Sequence, residues 1–225
     1  MTYGQYLKKA GLAVSPAGPT RKGQRAKDKS GVALLTYRVP KLTSDGTCSV
    51  AGHRLAKEPY DLRPILGIQA GSAEEAAVIK RLEHLQDLLA GVQTVLKADW
   101  IGIYQKARSL DGTPVLVKLV YEGKPSRAEF PLTEAFAALS NNSTVGLTGK
   151  AMVITDVSAH EGPYYECDGL VQSEICLPIF DKSGEDIVGI LDAESFHRGH
   201  FDEPKIAQAA RLCWELAEYL PLKQR

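Results

Sequence analysis

Cys167 stands between Glu166 and Asp168 in the stretch "ECDGLVQSEICLPIF", and Glu174 sits in the apolar run that follows, two residues before Cys176. A thiol flanked by carboxylates is a candidate nucleophile. A carboxylate within an apolar strand needs a partner or a purpose. Downstream, "DIVGILDAES" carries Asp192 and Glu194. Alternate residues of a strand share a face, so Glu174 goes with Cys176, and Asp192 goes with Glu194. A turn centred near Ser183 and Gly184 in "DKSGED" sets Glu174 opposite or diagonal to Asp192 and Glu194. A slip of one residue would separate the faces. In the paired register three acids crowd one apolar patch, and at least one stays protonated near neutral pH. A protonated carboxyl can donate to a polar oxygen on a bound molecule, and ionised neighbours can hold an ammonium group. The competing reading is that these acids cap strand ends and face water.

The elements that must position these residues follow from periodicity. Val78, Leu82, Leu85, Leu89, Val92 and Leu96 recur at spacings of four and three, giving one helical stripe after a capping-box start at Ser72 and Glu75. Strands are expected at "VALLTYRV", "DWIGIYQKA", "PVLVKLVYEG", "AMVITDV", "SEICLPIF" and "DIVGILDAES". A closing helix is capped by Asp202, with Ile206, Ala210, Cys213, Ala217 and Leu220 along one side. The expected fold class is α+β, a central antiparallel sheet flanked by N- and C-terminal helices. Residues 71–225 form this domain, and residues 1–70 form a partly flexible N-terminal extension. Within it, residues 15–31, "SPAGPTRKGQRAKDKSG", read as a mobile linker that adds little to stability.

Lys plus Arg and Asp plus Glu both number 27, so net charge gives no reason to expect nucleic acid or an anionic membrane. No apolar run reaches the length of a membrane span, and the N-terminus lacks a signal peptide's apolar region. The 4 cysteines, Cys48, Cys167, Cys176 and Cys213, have no CxxC spacing, which suits a reducing, cytoplasmic setting. Cys48 reads as a loop thiol and Cys213 as a small core residue. His197 and His200 lie in a Gly-containing loop without clustered partners, and His160 beside Glu161 reads as a loop pair; no metal site is expected.

"DWIGIY" after a long helix, "YEGKP", "TDVSAHEGPYYECDGLVQSEICLPIF" and "VGILDAESFHRGHFDE", in that order, resemble the free methionine-(R)-sulfoxide reductases, a branch of the GAF-domain family. The resemblance covers about residues 72–222. It implies a small pocket on the sheet for one free amino-acid sulfoxide. Cys167 falls at the attacking cysteine, Glu174 and Asp192 on pocket acids, and Glu194 where the family usually has Asp. Trp100 and Tyr104 match a strand whose aromatics pack around the substrate, and Asp168 joins them as a substrate-binding position. No resident cofactor is implied. The reductant would be an external thiol of the thioredoxin or glutathione type, and a homodimer through the long helices follows by analogy. Two family cysteines are missing: their places fall near Arg127 and at Asn142 or a neighbour. Cys176 is then the candidate resolving thiol. The alternative is a non-catalytic GAF protein that binds a small ligand in a sensory role, having lost the resolving cysteines.

Overall fold

The computed structural model describes residues 1–42, 54–165 and 168–222. The chain opens with α1 (Tyr3–Ala10), a short 3-10 turn (Gly31–Leu35), the two-residue strands β1 (Thr36–Tyr37) and β2 (Tyr60–Asp61), and α2 (Leu62–Leu66). There follow α3 (Ala73–Leu96), β3 (Trp100–Arg108), β4 (Pro114–Glu122), β5 (Glu129–Pro131), α4 (Glu134–Ala137), α5 (Asn141–Thr148), β6 (Met152–Ile154), β7 (Ser173–Phe180), β8 (Ile187–Ser195) and α6 (Glu203–Leu216). The main sheet has 6 strands in the order β5-β4-β3-β8-β7-β6, every neighbouring pair antiparallel. This is the expected α+β architecture.

The amphipathic stripe of α3 is buried along its length, and α3 and α6 pack together behind the sheet. On the other face, α5 lies across β7 and β8. Covering both faces explains why β7 is buried at every position, polar Ser173 and Glu174 included. The start of α3 differs in one detail from a capping box. Ser72 caps Glu75 N as expected, but the Glu75 carboxylate turns to Gly71 N and Arg63 Nε, both at 2.6 Å. That ties α3 to α2. Among the described residues no helix is long and apolar enough to cross a membrane.

Two stretches of the N-terminal extension depart from the sequence expectation. "VALLTYRV" is not a strand over its length: it makes the 3-10 turn and then only β1. Burying Leu34 and Leu35 together suits a turn better than the alternation of a strand. Residues 15–31, expected to be a contact-poor linker, instead run as a strap over α6 and α3. Ser15 N donates to Glu203 Oε1 at 3.0 Å, Gly23 N to the Asp87 carbonyl at 2.8 Å, and Gly31 N to Glu83 Oε1 at 2.9 Å; Arg25 pairs with Asp87 at 2.6 Å. The strap lies so close to α3 that a Cβ on Gly91 would meet the Arg21 carbonyl oxygen at 1.6 Å. Backbone donors satisfied by helix carboxylates replace the apolar burial that this segment lacks. The core is continuous with residues of the extension, from Tyr3 through Ile68.

Candidate functional site

Strand register decides whether the three acids meet. Glu174 stands opposite Glu194 and Cys176 opposite Asp192 across β7–β8. On β3, Trp100 stands opposite Glu194 and Gly102 opposite Asp192. The four partners therefore share one sheet face, as the Ser183–Gly184 turn requires; Gly184 adopts φ 80°, the left-handed conformation that glycine enters without strain. Oxygens of Glu174, Asp192 and Glu194 lie within 4.8 Å of one another. Glu174 is 3% exposed and Asp192 2%, while Glu194 is half-buried. Strand-end acids facing water would not look like this.

Helix α5, unrecognised in the sequence, closes the cluster. Ser140 caps it, and the next two residues turn their amides onto the acids: Asn141 Nδ2 donates to Glu174 Oε1, and Asn142 Nδ2 to Asp192 Oδ2 at 2.9 Å. Burial, and then the charges of Asp192 and Glu194, push the Glu174 carboxyl well above the usual carboxylate range. Burial also raises Asp192, from 3.8 to about 6, while hydrogen bonds from Asn142 and Glu174 and the charge of Lys118 draw it back. Asp192 Oδ1 and Asn142 Oδ1 are buried without a hydrogen-bond partner among the described residues. The carboxylate oxygens are close enough to share a cation. The two amide donors, however, present hydrogens where a metal site would present oxygens.

Trp100 and Tyr104 wall the same face. The indole lies across Gly102, where a Cβ would meet Trp100 Cη2 at 2.4 Å, and Trp100 Nε1 donates to the Lys124 carbonyl at 3.1 Å. Tyr104 meets Phe130 edge-on at 5.5 Å, and Phe130 meets Tyr165 in the same way at 5.9 Å. Arg127, at one of the missing cysteine places, is buried among Phe130, Phe136 and Tyr165, and Nη1 donates to the Tyr165 hydroxyl at 3.0 Å. Asp168 pairs with Lys124 at 3.2 Å, which joins its segment to the Trp100 corner. Cys48, Glu166 and Cys167 lie outside the described residues.

Cys176 and Cys213 are fully buried free thiols. Burial, then Asp192 and Glu174, hold the Cys176 thiol well above its ordinary range, and burial pushes Cys213 up to about 12. A resolving thiol reacts as thiolate, so this setting works against Cys176 in that role. His200 Nε2 is bonded at 2.7 Å to the carbonyl of Leu96, the last residue of α3. Sequence reasoning missed Lys118, a fully buried cation on β4; a lysine within the apolar run "VLVKLVY" was the available signal.

The raised Asp192 carboxyl carries a stability cost of known sign. The unfolded chain ionises near 3.8 and the folded one near 6, so stability is lost as pH rises through that window. Asp192→Asn should therefore stabilise the protein at pH 8 by about 3 kcal/mol, and not at pH 3.5, in paired urea denaturations.

An antiparallel six-stranded sheet, backed by two helices and holding a buried polar cluster under a short third one, defines an α+β domain with a site on its sheet face. The GAF domain family model matches residues 81–218, more than half of the chain, and the chain belongs to the GAF domain family. No curated protein is a sequence match for the chain. Among solved structures, the free methionine-R-sulfoxide reductase of Neisseria meningitidis, in complex with its substrate, is similar at 23% identity and TM-score 0.50, over 70% of this chain and 88% of that one. The type II enzyme of Thermoplasma acidophilum matches at 19% identity and TM-score 0.52, over 63% and 93%. The GAF domain of an Acinetobacter phosphoenolpyruvate-protein phosphotransferase matches at 15% identity and TM-score 0.50, over 66% and 93%. At these identities the likeness is one of fold.

Proposed function

We propose that this GAF-domain protein reduces a free amino-acid sulfoxide, methionine-(R)-sulfoxide, with Cys167 as the nucleophile. The observation that carries the reading is the buried acid cluster: oxygens of Glu174, Asp192 and Glu194 lie within 4.8 Å of one another on one sheet face, a crowding that raises the Glu174 carboxyl well above the usual carboxylate range. A sulfoxide oxygen leaves only once protonated, and Glu174 is the donor. The Cys167 thiolate attacks the sulfoxide sulfur as the oxygen takes one proton from Glu174, and the hydroxyl so formed passes to the cysteine sulfur as its bond to the substrate sulfur breaks. The products are methionine and a cysteine sulfenic acid. Ionised Asp192 and Glu194 receive the substrate ammonium, and Trp100 and Tyr104 pack around its methyl group. Two equivalents of an external thiol, of the glutathione or thioredoxin type, then return the sulfenic acid to thiol with release of water and a disulfide.

The pH profile tests this reading. Activity needs Asp192 ionised and Glu174 protonated. kcat/KM should rise with pH through about 6 and fall as pH passes the raised ionisation of Glu174. A profile flat from pH 5 to 9 would exclude the acid pair from the chemistry.

A second reading has its own observation. Asn141 and Asn142 bond directly to the two buried acids, at the place where the reductase pattern has a cysteine. Amides there suit a ligand-binding GAF site without turnover. Methionine released from the (R)-epimer by the wild type separates the two.

A further inference from the structure

Two acceptors in the acid cluster lack a donor. Asp192 is 2% exposed and Asn142 3%, and one oxygen of each, Asp192 Oδ1 and Asn142 Oδ1, is buried without a hydrogen-bond partner among the described residues. Buried acceptors are normally paired, and a bare one costs its desolvation in full. The two are tied together. Asn142 Nδ2 donates to Asp192 Oδ2 at 2.9 Å, so one tip of each planar fork is used in that bond and the other tip is left over. Turning the amide over would set its oxygen against the Asp192 carboxylate, so the same bond fixes which tip is the acceptor. The bare oxygens therefore belong to one short unit, held by the first turn of α5 and by β8.

The surroundings favour a cation, since oxygens of Glu174, Asp192 and Glu194 lie within 4.8 Å of one another. The group that fits carries positive charge and more than one N–H bond on the same atom. A primary ammonium has three, a quaternary one has none, and water offers two hydrogens without the charge. We propose that Asn142 is a specificity-determining contact of the site: Asn142 Oδ1 and Asp192 Oδ1 each accept one N–H of the ligand's primary ammonium, so that the site selects free amino acids over their N-alkylated forms. The inference rests on the reading that the cluster receives the ammonium of a free amino acid, and it needs no turnover. The place where the reductase pattern has a cysteine then carries an acceptor for the ligand instead of a thiol.

The test counts N–H bonds. Calorimetry on the full chain gives the affinity for L-methionine and for N,N-dimethyl-L-methionine, whose ammonium keeps a single N–H. Both are measured in the wild type and in Asn142→Leu, an apolar replacement of similar size. A hydrogen bond from a charged donor is worth about ten- to a hundredfold in affinity, and Asn142→Leu should weaken methionine by that factor. The dimethyl ligand, its one N–H taken by the Asp192 carboxylate, should bind both proteins alike. Equal losses for the two ligands, or no loss for methionine, overturn the proposal, because a merely structural role does not distinguish the ligands. Should Asn142→Leu not fold, or the dimethyl ligand bind too weakly to measure, the wild type decides by NMR. The side-chain carbonyl-carbon resonance of Asn142 should move downfield on saturation with methionine; a resonance that stays in place overturns the proposal, and so does methionine that does not bind. The two readings fail separately. A protein that binds methionine through Asn142 yet forms none from the (R)-sulfoxide sinks the reductase reading and leaves this result standing. A working reductase whose methionine affinity ignores Asn142→Leu does the reverse.

Discussion

Replacing Cys167 with serine should reduce methionine formation from the (R)-sulfoxide to the level of a protein-free blank, with dithiothreitol as reductant. A serine hydroxyl at neutral pH cannot replace a thiolate as the attacking atom, and nothing else in the cluster is a nucleophile for sulfur. Cys176 is fully buried, and its thiol is held protonated by burial and by Asp192 and Glu174. The expected contrast is therefore wide: Cys176→Ser keeps its turnover with glutathione, and Cys167→Ser has none. A Cys176→Ser protein that releases one methionine and then stalls as a sulfenic acid would instead make Cys176 the resolving thiol. If the wild type forms no methionine from either epimer, the reductase reading fails and the ligand-binding reading takes its place.

Tyr6→Ala should destabilise the protein by about 3–5 kcal/mol, the usual cost of removing a large buried aromatic side chain. Tyr6 is fully buried; its hydroxyl donates to the Pro178 carbonyl of β7 at 2.9 Å, and its ring meets Phe180 at 5.9 Å. For a chain of this size the melting temperature should fall by roughly 6–20 °C, read by circular dichroism. A change of under about 2 °C would mean that α1 is not part of the cooperative unit. The strap adds to this. A chain starting at Gly31 loses α1 and the bonds to Glu203 and Asp87, and it should melt well below the full-length protein.

The parts whose signal is local were legible in the sequence. The α3 stripe, the Asp202 cap of α6 and the β7–β8 turn depend on residues a few positions apart, and each is where periodicity and turn chemistry put it. Strand parity also carried Glu174, Asp192 and Glu194 onto one face, because a short turn leaves little freedom of register. The helix α1 was not read from the sequence: Tyr3, Tyr6, Leu7 and Ala10 form a buried stripe that its short length conceals. Tertiary structure alone decided what surrounds the acids. The amides of Asn141 and Asn142 and the lysine on β4 come from segments far apart in the chain. The strap is of the same kind, since its bonds run to carboxylates and carbonyls on α3 and α6. Which carboxyl keeps a proton depends on burial and on charges brought together across the sheet, and such non-local terms leave no period in the sequence.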